Sequence, residues 1–210
     1  MENVRKLSVG EAIPEALKIS VSNFVSVFIA CILYLLTIWI PYLNVGTTIG
    51  MASVPLAMSK GKVISPLFIF EAKYRKYMGE YFALQGLMML SILPALLFMV
   101  IPGIVIAIGW SLALFILIDK EVSPSEAMIL SNKATQGYKW TIFGIFFLSF
   151  FVILFLSFIV GFIIGLFPEF LATILLIAWI GVCMVFPMAC QAVIYKKLMQ
   201  VPPMHVEQGE

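Results

Sequence analysis

FVSVFIACILYLLTIWIPYLNVGTTIGMASVPLAM, residues 24–58, is a run of 35 residues without a charged side chain. Two further runs occupy residues 81–118 and 140–195, and Glu169 is the only charged residue in either of them. A helix crosses a bilayer with about 20 apolar residues, so each run is long enough for two crossings. Because proline interrupts each run near its middle, the sequence predicts an all-α membrane bundle of six transmembrane helices arranged as three hairpins.

The predicted crossings span residues 24–40, 45–58, 81–101, 104–118, 140–166 and 170–195. With the segments between them they form a single transmembrane domain over residues 1–200, followed by a cytoplasmic tail over residues 201–210. The crossing over residues 45–58 is short and rich in small residues, so a re-entrant path is the alternative. A full crossing is favoured because a return to the outside would carry Lys60 and Lys62 there.

The composition and the placement of charge exclude an ordinary soluble protein and predict an orientation. Hydrophobic residues make up 62% of the chain and charged residues 11%, against about 45–50% and about 25% in soluble domains. All 13 Lys and Arg residues precede, separate or follow the hairpins, and the hairpin tips contain none. Because basic residues in short loops stay in the cytoplasm, both termini are predicted to be cytoplasmic, in a bacterial or archaeal inner membrane. The net charge of +2 gives no indication of nucleic-acid binding.

A helical stripe of apolar residues precedes each hairpin and predicts interfacial amphipathic helices over residues 8–22, 65–79 and 123–137, which we call the pre-hairpin segments. In the first and third of them a Ser lies three residues before a Glu, which is the capping-box spacing. A shift of 115 residues superposes Ser8, Glu11, Ala12, Lys18 and Phe28 on Ser123, Glu126, Ala127, Lys133 and Phe143. The chain is therefore predicted to contain three units, each a pre-hairpin segment followed by a hairpin.

The residues that catalysis requires are missing from the predicted crossings. His205, the only His, lies in the tail, and Glu169 has no second acid or base near it in the sequence. Cys31, Cys183 and Cys190 lie inside apolar runs without the spacing of a disulfide framework or a metal site. We therefore predict no catalytic, cofactor-binding or metal-binding residue and no enzymatic activity.

The second pre-hairpin segment contains a basic cluster, Lys73, Arg75 and Lys76, beside aromatic residues. At the level of the headgroups such a cluster attracts anionic lipid, with about 1 kcal/mol for each charge. Simple anchoring of the orientation and binding of a partner protein are the alternatives.

Polar and small residues inside the crossings have two interpretations. Hydroxyl and amide groups could line a pore, or they could form interhelical hydrogen bonds that join the bundle. The candidates for this polar lining are Thr47, Thr48, Gln85, Ser111 and Gln191. Two pairs of glycines have the spacing that allows helices to approach closely, within one bundle or between protomers: Gly46 with Gly50, and Gly161 with Gly165.

Residues 101–150 contain a pattern of helix junctions that resembles a known family. The pattern consists of Ile101-Pro-Gly-Ile104, a crossing that ends at Asp119, Ser123-Pro-Ser-Glu-Ala127, Ser131, Gly137 and Lys139-Trp140. It resembles the YciC-like bacterial integral membrane proteins, a family of unassigned function, and is similar to the membrane domain of some glycerophosphoryl diester phosphodiesterases. By layout the resemblance covers residues 46–195. It implies a six-helix membrane module and no catalytic residue, because the phosphodiesterase chemistry belongs to a separate soluble domain.

These observations favour a non-enzymatic integral membrane module that binds lipid or a partner protein in support of another membrane system. The alternative is a homo-oligomeric channel or a passive transporter of small solutes. The expected partners are membrane lipids, a protein partner or further copies of the chain, and no cofactor is expected.

Overall fold

The computed structural model describes residues 7–61 and 63–199. Arg5, Lys6, Lys62 and the tail with His205 lie outside the described residues. Within them the regular structure is entirely helical. The α-helices are α1 Val9–Thr37, α2 Leu43–Ala52, α3 Val54–Ser59, α4 Ala72–Lys76, α5 Met78–Phe98, α6 Val100–Gly109, α7 Ala113–Lys120, α8 Pro124–Thr135, α9 Lys139–Ile164 and α10 Glu169–Met199, and a 3₁₀ helix spans Pro66–Phe70.

Five stretches within the described residues are long and apolar enough to cross a membrane. They are Val9–Thr37, Met78–Phe98, Val100–Lys120, Lys139–Ile164 and Glu169–Met199. Their side chains are exposed to different extents: after Leu84, α5 has no buried residue, and the first twelve residues of α10 have none either, whereas much of Val100–Lys120 is buried or half-buried. Exposed apolar side chains of this kind are compatible with contact with lipid, so the chain has the composition and architecture of a multi-pass helical membrane protein.

The segment predicted to cross over residues 45–58 is not among these five stretches. It consists of two short helices, α2 and α3, which meet at Ser53. The Ser53 hydroxyl donates to the Ile49 carbonyl at 2.6 Å, and Pro55 supplies no backbone N–H to continue the ladder. Most of the segment is buried, including Ile49, Val54 and Met58. Protein therefore surrounds it, whereas much of α5 and the first part of α10 are exposed.

The pre-hairpin segments differ from the prediction in their boundaries. The first is not separate from its crossing, because α1 runs without a break through residues 22–24. There the Asn23 amide donates to the Ile19 carbonyl at 3.0 Å, and Asn23 Oδ1 accepts from the Ile64 N–H at 3.0 Å. The second is divided into the 3₁₀ helix, α4 and the start of α5, because the backbone leaves the helical conformation at Glu71 (ψ 132°) and again at Tyr77 (ψ 14°). The third corresponds to α8.

One of the two predicted capping boxes has its serine cap. The Ser123 hydroxyl accepts from the Glu126 N–H at 3.4 Å and caps α8. Ser8 precedes α1 with an extended backbone but makes no side-chain capping bond.

Each pre-hairpin segment packs against the final crossing of the preceding unit. The first lies along the end of α10, where Lys196 Nζ lies 2.8 Å from Glu15 Oε1 and Lys197 Nζ lies 3.0 Å from Glu11 Oε2. The second lies along α2, and the third turns back along α7 and α6. The three units therefore close on one another in a cyclic order, with the first unit resting on the third.

The repeat of 115 residues is visible in the burial of the first and third units. Ala12 and Ala127 are both fully buried, and so are the next equivalent pair one turn later, Ala16 and Ser131. Because equivalent positions turn the same face inward, the two segments use one pattern of packing.

Candidate functional site

Ionisable side chains meet where α3, α7 and α10 end. Lys60 Nζ lies 2.8 Å from Asp119 Oδ1, and the Tyr195 hydroxyl donates to Asp119 Oδ2 at 2.7 Å. We call this region, together with the neighbouring pairs of Lys196 and Lys197, the charged end. The Lys60 side chain is 55% exposed, so its ion pair contributes at most about 1 kcal/mol. The cluster mainly fixes the position of three helix ends.

A second cluster joins the start of α5 to the end of α7. The Tyr77 hydroxyl donates to Glu121 Oε1 at 2.7 Å, and Lys76 Nζ lies 3.7 Å from Glu121 Oε2. Burial of Tyr77, followed by its bond to Glu121, raises the pKa of the phenol to about 12. The Tyr77 hydroxyl, followed by the Lys76 ammonium, holds the pKa of the Glu121 carboxyl below its ordinary value. Both shifts favour the hydrogen bond between a neutral phenol and a carboxylate.

A cavity of about 220 Å³ lies between these two clusters. Its lining includes Lys60, Lys73, Asp119 and Glu121. Each of these charged groups has an opposite partner, because Lys73 pairs with Glu71 and the others pair as described above. The arrangement joins structural elements through these ion pairs.

The predicted basic cluster divides into paired and free cations. Lys73 lies over the Tyr74 ring at 4.9 Å and Lys76 over the Tyr77 ring at 5.7 Å, in addition to their carboxylate partners. Arg75 is exposed, and its Cγ would lie 2.8 Å from a Cβ at Gly46. Within the described residues Arg75 has no acidic partner.

Free cations recur once in each pre-hairpin segment. The side chains of Lys18, Arg75 and Lys133 are exposed and have no carboxylate or hydrogen-bonding partner in the described part of the chain. Lys18 and Lys133 are equivalent in the repeat of 115 residues. The sequence indicated this equivalence, but it did not show that Lys196 and Lys197 are neutralised by carboxylates about 180 residues away.

The candidates for a polar lining lie on several elements. The Thr47 hydroxyl donates to the Leu43 carbonyl at 3.1 Å, and Thr48 bonds Tyr34 of α1 at 3.3 Å. Ser111 donates to the carbonyl of Ile108 three residues earlier. Gln85 is exposed on α5 beside Tyr81, and Gln191 is half-buried on α10. The structure thus brings Thr47 and Thr48 together near α1 and places the other three on α5, between α6 and α7, and on α10.

The two glycine pairs have different surroundings. A Cβ at Gly50 would lie 2.8 Å from the Ile69 Cα and 2.9 Å from its carbonyl oxygen, so the second pre-hairpin segment approaches α2 backbone to backbone. No neighbouring atom of the described residues lies within 4 Å of a Cβ at Gly161, and a Cβ at Gly165 would meet only carbonyls of its own helix at 3.5 Å. The first pair therefore packs within the chain, and the second faces open space.

The fourth predicted crossing is interrupted, and α8 completes its hydrogen bonding. The Ser131 hydroxyl donates to the Gly109 carbonyl at 2.7 Å and accepts from the Leu112 N–H at 3.2 Å. A Cβ at Gly109 would lie only 2.8 Å from Asn132 Oδ1, which accepts from Lys139 Nζ at 2.9 Å. Non-helical backbone at membrane depth needs such partners. Gly109 before Trp110 and Ser111 was the sequence signal for this junction.

Comparisons with family models, with curated proteins and with solved structures find no match to this chain. Within residues 7–61 and 63–199, no group of three or more His, Cys, Asp or Glu side chains could hold a metal ion.

Proposed function

We propose that this chain is a non-enzymatic integral membrane module that binds anionic lipid headgroups at its charged end and so supports another membrane system. The observation that carries the proposal is the free cation in each pre-hairpin segment, Lys18, Arg75 and Lys133. A free cation near an anionic lipid surface contributes about 1 kcal/mol to lipid binding, whereas a cation already paired with a carboxylate contributes less.

The non-enzymatic part of the proposal is supported by the use of the polar groups. The charged groups at the cavity between α3, α4 and α7 are engaged with one another. The hydroxyls of Ser131, Thr47 and Ser149 donate to backbone carbonyls. Groups engaged in this way stabilise the fold and are poorly placed to transfer protons or attack a substrate.

The contact between the start of α1 and the end of α10 supports six crossings. Lys197 pairs with Glu11, so the start of α1 and the end of α10 lie on the same side of the bundle, which requires an even number of crossings between them. Five stretches are long enough, so we propose that α2 and α3 together make the sixth. The 17 residues from Leu43 to Ser59 reach about 25 Å at 1.5 Å per residue, close to the hydrocarbon thickness of about 30 Å.

The placement of basic residues supports cytoplasmic termini in a bacterial or archaeal inner membrane. The resemblance to the YciC-like proteins supports a membrane module of the same kind. Thiol labelling from each side tests the topology. A Cys at Asn44 or Glu169 should react with an impermeant reagent from the outside, with the unsubstituted chain as control for Cys31, Cys183 and Cys190. Labelling of Asn44→Cys from the cytoplasm alone would show that the orientation is wrong.

The lipid proposal is tested by comparing two triple variants of equal net charge. One carries Lys18→Gln, Arg75→Gln and Lys133→Gln, and the other carries Lys60→Gln, Lys73→Gln and Lys76→Gln, which are paired cations. We expect the preference for phosphatidylglycerol over phosphatidylcholine, measured by lipid exchange in nanodiscs, to fall about five-fold for each free cation removed. The control should retain most of its preference. Equal loss in both variants, or no loss in the first, contradicts the proposal.

A further inference from the structure

An apolar groove runs along the bundle between α1, α9 and α10. It encloses about 490 Å³ and is open on one side. Ile13, Leu17 and Val21 of α1 face Leu156 of α9 and Trp179 and Val182 of α10 across it. The polar atom of Trp179 is already satisfied, since its Nε1–H donates to the Ser157 hydroxyl at 3.0 Å. The volume lies in the range of binding sites for small organic ligands, about 300–1,000 Å³.

The groove continues into a second apolar cavity of about 390 Å³. The two share Phe24, Trp179 and Val182, and the second extends along α9 as far as Ile164. From Val152, which lines the first, to Ile164 the groove is about 18 Å long at 1.5 Å per residue. One leaflet of the hydrocarbon core is about 15 Å thick, so the groove matches the depth of a single leaflet.

Lipid chains are the material available to fill an apolar groove at this depth. An empty groove would forfeit dispersion contacts along all of its walls, and water would find hardly any polar partner there. The groove walls are partly exposed, with Leu17 at 51% and Leu156 at 40% of full accessibility, so a chain can enter sideways from the bilayer.

A free cation, Lys18, lies at the edge of the groove on α1, five residues after Ile13 and six before Phe24, which both line it. Lys18 precedes Val21 by three residues and Val25 by seven, which places it on the same face of α1 as these two lining residues. The neighbouring carboxylates, Glu11 and Glu15, are engaged by Lys197 and Lys196. The three cations and two carboxylates together carry one net positive charge, which can attract a phosphate group.

We propose that the groove holds one acyl chain of an anionic phospholipid, with the lipid phosphate at Lys18. This inference rests on the proposed function and specifies one retained lipid at one place, in addition to a general preference for anionic lipid. The bound lipid fills the space between the first unit and the third, where the cyclic order of the units closes.

Native mass spectrometry of the full chain in mild detergent with added phosphatidylglycerol tests the inference. Leu156→Trp fills the groove, and the matched control Leu148→Trp changes a leucine of similar exposure on α9 that does not line it, at 40% and 43% of full accessibility. We expect one retained lipid in the unsubstituted chain and in the control, and a roughly ten-fold lower occupancy in Leu156→Trp. Circular dichroism verifies that both variants remain helical.

A second pair of variants tests the phosphate contact. Lys18→Gln should weaken retention of phosphatidylglycerol about five-fold and leave that of phosphatidylcholine unchanged, whereas Lys133→Gln should leave the retained lipid in place. Equal retention in Leu156→Trp and Leu148→Trp overturns the inference, and so does a dimer that forms in place of the lipid adduct. The two proposals can fail separately. If Leu156→Trp and Leu148→Trp retain lipid equally, but the triple variant of Lys18, Arg75 and Lys133 still loses its preference for anionic lipid, the groove inference fails and the proposed function stands.

Discussion

Replacing Ser131 with Ala removes the side chain that joins α8 to the interrupted crossing between α6 and α7. Ser131 is fully buried, and its hydroxyl serves the Gly109 carbonyl at 2.7 Å and the Leu112 N–H at 3.2 Å. Thr135 also donates to the Gly109 carbonyl, at 3.4 Å, so that acceptor keeps a partner after the substitution. The Leu112 N–H loses its acceptor.

The expected loss of stability follows from the difference between the Gly109 carbonyl, which keeps a partner, and the Leu112 N–H, which does not. A buried donor left without an acceptor costs about 1–3 kcal/mol, and the lost bond to Gly109 adds about 0.5 kcal/mol because Thr135 compensates in part. We therefore expect Ser131→Ala to lower the free energy of unfolding by about 2–3 kcal/mol. The effect should be largest on the junction itself, so amide exchange near Leu112 should rise with it.

The matched control is Ser149→Ala on α9. Ser149 is also buried, but its hydroxyl donates at 2.6 Å to the Ile145 carbonyl, four residues earlier in the same helix, and its contact with another helix, at 3.4 Å from Cys190 Sγ of α10, is a weak one. That carbonyl stays in the helical ladder, so we expect a loss below about 1 kcal/mol. Reversible unfolding in mixed micelles, followed by circular dichroism, measures both variants. If Ser131→Ala costs no more than Ser149→Ala, the hydroxyl does not hold the junction and the reasoning is refuted.

Two further predictions concern the packing and the pH dependence of the bundle. Gly50→Ala should lower the free energy of unfolding by about 1–3 kcal/mol, because the new Cβ would lie 2.8 Å from the Ile69 backbone. The control Gly161→Ala should not lower it, because no neighbouring atom of the described residues lies within 4 Å of its Cβ. Thermal unfolding of both variants measures the difference. The pKa of Tyr77 is raised to about 12, so its contribution to stability is complete below the unfolded value of about 10 and is lost as the pH rises from about 10 to 12. Unfolding measured over that range should show this loss in the unsubstituted chain and a smaller one in Tyr77→Phe. Identical profiles would contradict the raised pKa that burial of Tyr77 and its bond to Glu121 produce.

The helical membrane class was predictable because partition into a bilayer depends on local composition. The uncharged runs gave α5, α9 and α10 to within a few residues: α9 spans Lys139–Ile164 where a crossing over residues 140–166 was predicted. The prediction for α1 was wrong at its start, since this helix begins at Val9 and the predicted crossing began at residue 24. The break in the short crossing was harder to predict, since Ser53 ends α2 through a bond to its own helix. A bond of this kind depends on rotamer and packing, which the pattern of apolar residues does not contain.

The partners of the pre-hairpin segments were not predictable in the same way. Their apolar stripes indicated that one face is buried, and Ala12, Ala16 and Ala127 are buried. The stripes did not indicate what covers that face. Lys197 and Glu11 come together across 186 positions of sequence, and such a contact is a property of the whole bundle. The interfacial location, which we predicted from the stripe alone, would place the apolar faces of these segments against the membrane surface.

The positions of the free cations follow from the repeat. Lys18 lies two residues after the buried Ala16, and Lys133 lies two residues after the buried Ser131. Two residues turn an α-helix by about 200°, so a side chain at that spacing points almost opposite to the buried one. Packing of each segment on the preceding crossing therefore turns its cation outward, where a carboxylate of the bundle does not reach it. Replacing Lys18 with Gln should accordingly change the lipids that accompany the protein and leave its free energy of unfolding unchanged within about 0.5 kcal/mol.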